Sequence, residues 1–290
     1  MTPIRLTKDG RHSSAGTLTK AVRAHAKAMG TADGRVRSWV AYMMLSGLLQ
    51  KIARDEGGAA MTVKGGVALE LRLHPTPRAT DDMDLVIHGA EDLMQALDRS
   101  LLSDNEEPRV HGGFTFQRKG EPRDLLNGAW RIELTVRYEG TAWNTISVDV
   151  AGEEIPDVAP EYINAIDLSA LHLPGPDVIP CLPLNHQLAQ KLHGMTQPPR
   201  EGRRNERAKD LVDVLLIEEF LGELAELRQT CVRVFEARGT HEWPPMLAVH
   251  EHWRDEFGRL AAEYGLHVGS LEDGATKARE LIARIESSAW

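Results

Sequence analysis

Residues 78–85 read Arg-Ala-Thr-Asp-Asp-Met-Asp-Leu, and Lys64-Gly65-Gly66 stands a short distance before them. Met83, Leu85 and Ile87 alternate with polar positions. That is the period of a half-buried strand, and it sends Asp82 and Asp84 to the face opposite the apolar side chains. Two carboxylates side by side call for a cation. Paired hard oxygen ligands suit Mg²⁺, which keeps its remaining positions for water and for the phosphates of a nucleotide. The stretch therefore predicts a strand of an α/β core that carries metal-dependent chemistry on a nucleoside triphosphate.

Working outward, residues 14–29 and 34–54 read as two helices, the second with Trp39, Met43, Leu45, Leu48, Leu49 and Ile52 along a mostly apolar side. Gly57-Gly58 closes that pair. Extended runs follow at 61–63, 83–87, 114–118, 130–138 and 145–150, with helical stretches at 66–73 and 91–102 among them. In the run from Trp130, Ile132, Leu134, Val136 and Tyr138 alternate with Glu133, Thr135 and Arg137. In the next, Ile146, Val148 and Val150 alternate with Thr145, Ser147 and Asp149. Asp149 thus falls on a polar face, as Asp82 and Asp84 do, and one sheet could gather all three. A Pro-rich passage, 156–183, leads to helical stretches at 184–195, 206–221, 223–238, 247–264 and 271–287, the pattern of a bundle. The expected domains are 1–58, helices packing on the core; 59–180, an α/β domain; and 181–290, a helical domain.

Composition narrows the function classes. The 290 residues are 42% hydrophobic and 27% charged, ordinary for a globular protein. The two cysteines, Cys181 and Cys231, have no metal or scaffold spacing, so disulfide frameworks and zinc ribbons are not expected. No leader pattern and no run of about 20 apolar residues is present, which predicts a cytoplasmic protein without membrane contact. A net charge of −9 argues against coating nucleic acid through bulk positive charge, and leaves room for a local basic patch. The Walker A spacing is missing, which removes P-loop NTPases, and no Gly-x-Ser-x-Gly elbow supports a hydrolase. The twelve histidines, His250-x-His252 included, show no metal spacing and read as surface or packing residues.

Several other residues carry candidate chemistry. Asp82, Asp84 and Asp149 together could hold one or two Mg²⁺ ions bridging triphosphate oxygens; on spacing alone they can equally be unrelated surface acids. Lys64-Gly65-Gly66 could let backbone N–H groups approach a phosphate at a helix N-terminus, or be a plain strand-to-helix turn. The Thr80 hydroxyl, two residues before Asp82, would share the carboxylate face of an extended segment. Lys191 borders the stripe Leu184, Leu188 and Leu192, and Asp213 borders Leu211, Val214 and Leu215. An ammonium and a carboxylate at such bundle-edge positions could serve a phosphate. Between them Arg200, Arg203, Arg204, Arg207 and Lys209 form either a clamp for a triphosphate or RNA backbone or a solvated loop. Lys209 and Asp213 are also spaced as an i, i+4 ion pair.

Four elements in order resemble the AbiEii/AbiGii family of bacterial nucleotidyltransferase toxins, which includes the MenT toxins and lies within the DNA polymerase β-like superfamily. They are Lys64-Gly65-Gly66 with Leu69; Arg78-x-Thr80-x-Asp82-x-Asp84-Leu85; Asp149 in Ser-Val-Asp-Val; and Lys191-Leu-His with Arg207-x-Lys209-Asp210-Leu211-x-Asp213. The span runs over roughly residues 60–216. Gly194 stands where the family often has Ala, and Met83 where Ile is usual. The resemblance implies a mixed-sheet nucleotidyltransferase core with N-terminal helices and a C-terminal helical bundle. It also implies Mg²⁺-dependent transfer of a nucleotide from an NTP to RNA, the tRNA 3′ acceptor end in MenT-like members, with arrested aminoacylation and growth and a cognate antitoxin in a toxin–antitoxin or phage-defence system. By similarity Thr80, Asp82, Lys191 and Asp213 form the activity-critical set and Asp84 completes the metal pair with Asp82, with Asp149 as third carboxylate. Lys64, Gly65, Gly66, Arg78, Arg207 and Lys209 would serve the nucleotide. A small-molecule nucleotidyltransferase of the antibiotic-modifying sort, and a non-catalytic nucleotide- or RNA-binding module, remain as alternatives.

Overall fold

The computed structural model describes residues 6–8, 10–73, 80–125, 128–199 and 204–288. The chain forms two compact units, Met1–Glu153 with Pro160–Cys181, and Glu154–Ala159 with Leu182–Trp290. The first holds a mixed sheet of β1 (Met61–Lys64), β2 (Asp82–Ile87), β3 (Phe114–Asp124), β4 (Trp130–Tyr138), β5 (Thr141–Gly152), β6 (Glu161–Asn164) and β7 (Val178–Cys181), in the order β3-β4-β5-β2-β1-β7-β6. β2 runs parallel to β5 and antiparallel to β1, and β4 pairs antiparallel with both β3 and β5.

The alternation read from the sequence sets the two sheet faces. Ile132, Val148 and Met83 line up across β4, β5 and β2, and Trp130, Val150, Leu85 and Val63 form the next apolar row. Apart from the half-buried Trp130, these rows merge into one hydrophobic core with α1 (Ala15–Met29) and α2 (Asp33–Asp55). α1 begins at a capping box: Ser14 Oγ accepts from the Thr17 N–H and Thr17 Oγ1 from the Ser14 N–H. It ends at Gly30 in the left-handed region. α2 is buried almost all round from Val36 to Ile52, because it lies among α1, the sheet and α4 (Leu93–Leu101). α3 (Gly65–Arg72) follows directly from β1.

β6 and β7 lie inside the passage read only as Pro-rich. Each has four residues and β7 contains Pro180, which cannot donate to a ladder. The strand survives because its pairing with β1 is a single register pair, Val63 with Cys181. The sequence pattern also falls short on β3 and β5, both longer than the apolar alternation that marks them.

The second unit is helical: α5 (Leu184–Thr196), α6 (Ala208–Glu218), α7 (Leu224–Arg238), α8 (Arg254–Glu263) and α9 (Leu271–Ser287). The helix expected from residue 247 begins only at Arg254, after a 3₁₀ turn at Glu251–Trp253. Trp253 Nε1 donates to the Asn205 carbonyl, which holds the entering chain in that turn. Residues 154–159 belong to this unit because Glu154 accepts from Arg238 of α7 and from Gln190 of α5. No described helix is long and apolar enough to cross a membrane.

Candidate active site

Register builds the acidic face of the first unit. Residues directly opposite one another in a sheet point to the same side, so Lys64, Asp84, Asp149 and Arg131 form one polar row across β1, β2, β5 and β4. Asp82, Ser147 and Glu133 form the next. The carboxylates of Asp82, Asp84 and Asp149 therefore share one face, as alternation predicts.

Arg131 is closely engaged with two of them. Its Nε donates to Asp149 Oδ1 at 2.6 Å, and Nη2 donates to Asp149 Oδ2 and to Asp82 Oδ2, each at 2.7 Å. Such a forked, charge-assisted contact is strong and directional. The Asp149 hydrogen bonds raise the Arg131 pKa above its already high ordinary value against some desolvation, and the charges of Asp149, Asp82 and Asp84 add to the effect. No group of three or more His, Cys, Asp or Glu side chains among the described residues is placed to hold a metal. The donor chemistry itself fits a hard divalent cation, since every candidate ligand is a carboxylate oxygen.

Gly65 and Gly66 open the turn from β1 into α3. Gly65 has φ +61°, and a Cβ there would lie 1.9 Å from Asp84 Oδ2. A Cβ on Gly66 would lie 2.3 Å from Thr80 Oγ1. The missing side chains thus leave room for the Asp84 carboxylate and the Thr80 hydroxyl against the backbone at the start of α3. Thr80 itself precedes β2 and is buried, and its hydroxyl donates to the Asp82 carbonyl at 3.0 Å. It braces the strand entry rather than lying in the strand's own alternation. Beneath lies Tyr42 of α2, fully buried, its phenol pushed well above the ordinary range by burial and further by the charges of Asp82, Glu70 and Asp81.

In the helical unit, Lys191 Nζ donates to Asp213 Oδ2 at 2.5 Å and to Asp210 Oδ1 at 3.1 Å. The Asp213 side chain is 0% exposed and that of Lys191 12%. Arg207 reaches the other oxygen of Asp210 at 3.4 Å. Asn205 fixes the geometry between the two helices. Its Nδ2 donates to the carbonyls of Gly194, Met195 and Gln197 at the end of α5, and its Oδ1 accepts the Arg207 N–H before α6. Gly194 also has a local reason: a Cβ there would stand 3.1 Å from Asp210 Oδ2. His193, next to Lys191-Leu192, is neutral and buried. Its Nδ1 accepts from Arg238 Nη1, so Nε2–H donates to Thr240 Oγ1. Burial, followed by the Arg238 charge, pushes it down to about 3.

The family description "Nucleotidyl transferase AbiEii toxin, Type IV TA system" matches residues 47–279, most of the chain and all candidate site residues from Lys64 to Asp213. The chain belongs to the AbiEii nucleotidyltransferase toxin family. Among solved structures, the MenT4 nucleotidyltransferase toxin of Mycobacterium tuberculosis aligns over 94% of this chain and 99% of its own, at 16% identity and a TM-score of 0.55. A nucleotidyltransferase structure from H. pylori aligns over 86% and 94%, at 13% identity and a TM-score of 0.40. The likeness to MenT4 speaks to the fold alone. No curated protein matches the sequence.

As an AbiEii-family member the chain is a nucleotidyltransferase, a toxin of a type IV toxin–antitoxin family. The family implies an NTP substrate, usually a divalent metal, and an antitoxin partner. Of the site residues read from the sequence, the sheet brings Lys64, Gly65, Gly66, Thr80, Asp82, Asp84 and Asp149 to one region of the first unit. Lys191, Asp213 and Arg207 meet around Asp210 in the second. Lys209 is half-buried on α6, and Asp213 is bonded to Lys191. Arg78, Arg200 and Arg203 lie outside the described residues.

Two AbiEii-fold residues escaped the sequence reading. Arg131 stood unremarked at the start of its strand, although antiparallel pairing of 130–138 with 141–152 places it opposite Asp149. Asp210 was part of the quoted motif without a role, yet it is the second carboxylate on Lys191.

Proposed function

We propose that this AbiEii-family toxin transfers a nucleotide from an NTP to RNA at the tRNA 3′ acceptor end, with Mg²⁺ as its divalent ion, so that aminoacylation and growth stop until an antitoxin intervenes. A role in phage defence belongs to the same reading. The observation that carries it is the register of β1, β2 and β5, which turns Asp82 and Asp84 to one face beside the Gly65-Gly66 turn.

In the proposed reaction a ribose hydroxyl oxygen attacks the α-phosphorus in line, a P–O bond forms, the bond to the departing pyrophosphate breaks, and the hydroxyl proton passes to solvent. Asp82 and Asp84 would hold the metal, and Asp149, the third carboxylate of the face, would keep Arg131 beside them. The bound ion would offset charge on the phosphates and favour ionisation of the attacking hydroxyl. Lys64, Arg78 and the N–H groups of Gly65 and Gly66 would receive phosphate oxygens, and Thr80 would keep the entry to β2 in place. In the helical unit Asp213 and Asp210 hold the Lys191 ammonium in one position, as a phosphate-binding cation requires. Arg207 and Lys209 add positive charge for the nucleotide.

The test is incubation of the protein with each labelled NTP and total tRNA, followed by mapping of tRNA 3′ ends. Label added at the 3′ end by the wild type and lost in Asp82→Asn is the expected outcome. Label found only on added small alcohols would replace the RNA acceptor with a small molecule. RNA binding without any transfer would leave a non-catalytic module.

A further inference from the structure

Arg131 does more to the carboxylate row than balance its charge. A guanidinium has donors and no lone pair to offer a metal. Here three of its N–H bonds are directed at three carboxylate oxygens, both of Asp149 and one of Asp82. Those oxygens cannot accept these hydrogen bonds and coordinate a cation along the same lone pairs. A divalent ion arriving at Asp82 also meets the positive charge of Arg131 directly. The contact is built in: Arg131 and Asp149 are register partners, and the Asp149 side chain is only 16% exposed. On Asp82, whose side chain is 31% exposed, Arg131 places a single hydrogen bond. The two grips therefore differ in strength, and the one on Asp82 is the weaker.

We infer that Arg131 is a resident counter-ion that competes with the divalent cation for Asp82. Metal enters by exchange: Nη2 gives up Asp82 Oδ2, while the fork on Asp149 keeps the arginine on the sheet. Arg131 is thus a positioning residue that sets metal affinity, keeping Asp82 and Asp149 paired when no ion is bound. This rests on the reading of Asp82 and Asp84 as the metal pair.

Mn²⁺ binding to the full chain, followed by the electron paramagnetic resonance signal of the free ion, tests it without reference to activity. Arg131→Met is expected to bind Mn²⁺ about tenfold tighter than the wild type, because the guanidinium charge and its bonds to Asp82 and Asp149 are removed. Arg131→Lys, which keeps a charge but loses the fork, is expected to lie between the two and carries the test if the methionine variant does not fold. Asp84→Asn is expected to weaken binding at least tenfold. Equal or weaker binding by Arg131→Met, with Asp84→Asn still impaired, would overturn the exchange and leave the metal pair standing. Binding that ignores Asp82→Asn and Asp84→Asn alike would remove the metal pair and the inference with it. Absence of binding to both wild type and Arg131→Met at millimolar Mn²⁺ would also count against it.

Discussion

Gly65 and Asp84 are in steric register: the carboxylate of one occupies the space that a side chain on the other would fill, with Oδ2 1.9 Å from the position of a Cβ. Gly65→Ala must therefore push Asp84 off the polar row. It also places alanine at φ +61°, a cost of about 1–2 kcal/mol. The variant is expected to melt lower and to lose Mn²⁺ affinity as severely as Asp84→Asn. Unchanged Mn²⁺ binding would show that Asp84 has slack the geometry denies.

Lys191 and Asp213 form a buried ion pair, and removing the ammonium takes a positive partner from both Asp213 and Asp210. Lys191→Met is expected to destabilise the protein by about 3–5 kcal/mol in urea melts. Restoring neutrality with Lys191→Met/Asp213→Leu should recover much of that loss, while nucleotide transfer stays absent. Transfer by the stable double variant would reduce the pair to a packing role.

The Thr80 hydroxyl is separable from its shape. Thr80→Val keeps the branched side chain, loses the bond to the Asp82 carbonyl, and should cost about 1 kcal/mol of stability. Nucleotide transfer should fall by tenfold or more, and Thr80→Ser should restore it. Equal kcat/KM in the valine and wild-type proteins would sink this role.

His193 makes the protein acid-sensitive. Its folded pKa of about 3 lies below the ordinary 6.5, so the unfolded chain binds the extra proton between those values. Its contribution is fully present above about pH 6.5 and is lost progressively as pH falls toward 3. In that window the slope approaches about 1.4 kcal/mol per pH unit. Urea midpoints at pH 7.5 and 5 should diverge more for the wild type than for His193→Gln. Parallel shifts in both proteins would assign the acid sensitivity elsewhere.

The strands that form the carboxylate face were legible because each buries one side, so period-two alternation marks both the strand and its polar edge: β4 was found with both ends correct. Alternation fades where a strand leaves the core, which hid the ends of β3 and β5, and it does not stand out in Glu161–Asn164 or in the proline-containing Val178–Cys181, which hid β6 and β7. Arg131 was illegible for another reason. Its partner is set by pairing register, a long-range property, and an arginine on a polar face reads the same whether it meets solvent or two aspartates. Asp210 was masked by its neighbours, since a helix-start acid beside Lys209 looks like ordinary end-charge complementarity. What brings it to Lys191 is the Asn205 tie between α5 and α6.

The pairing of β2 with β5 has a consequence for the register of the sheet. A slip of one residue would turn Asp82 and Asp84 into hydrocarbon and expose Met83 and Leu85 to water. A mis-threaded copy would thus be both unstable and inert. The same register thus sets the apolar core face of β2 and its carboxylate face together.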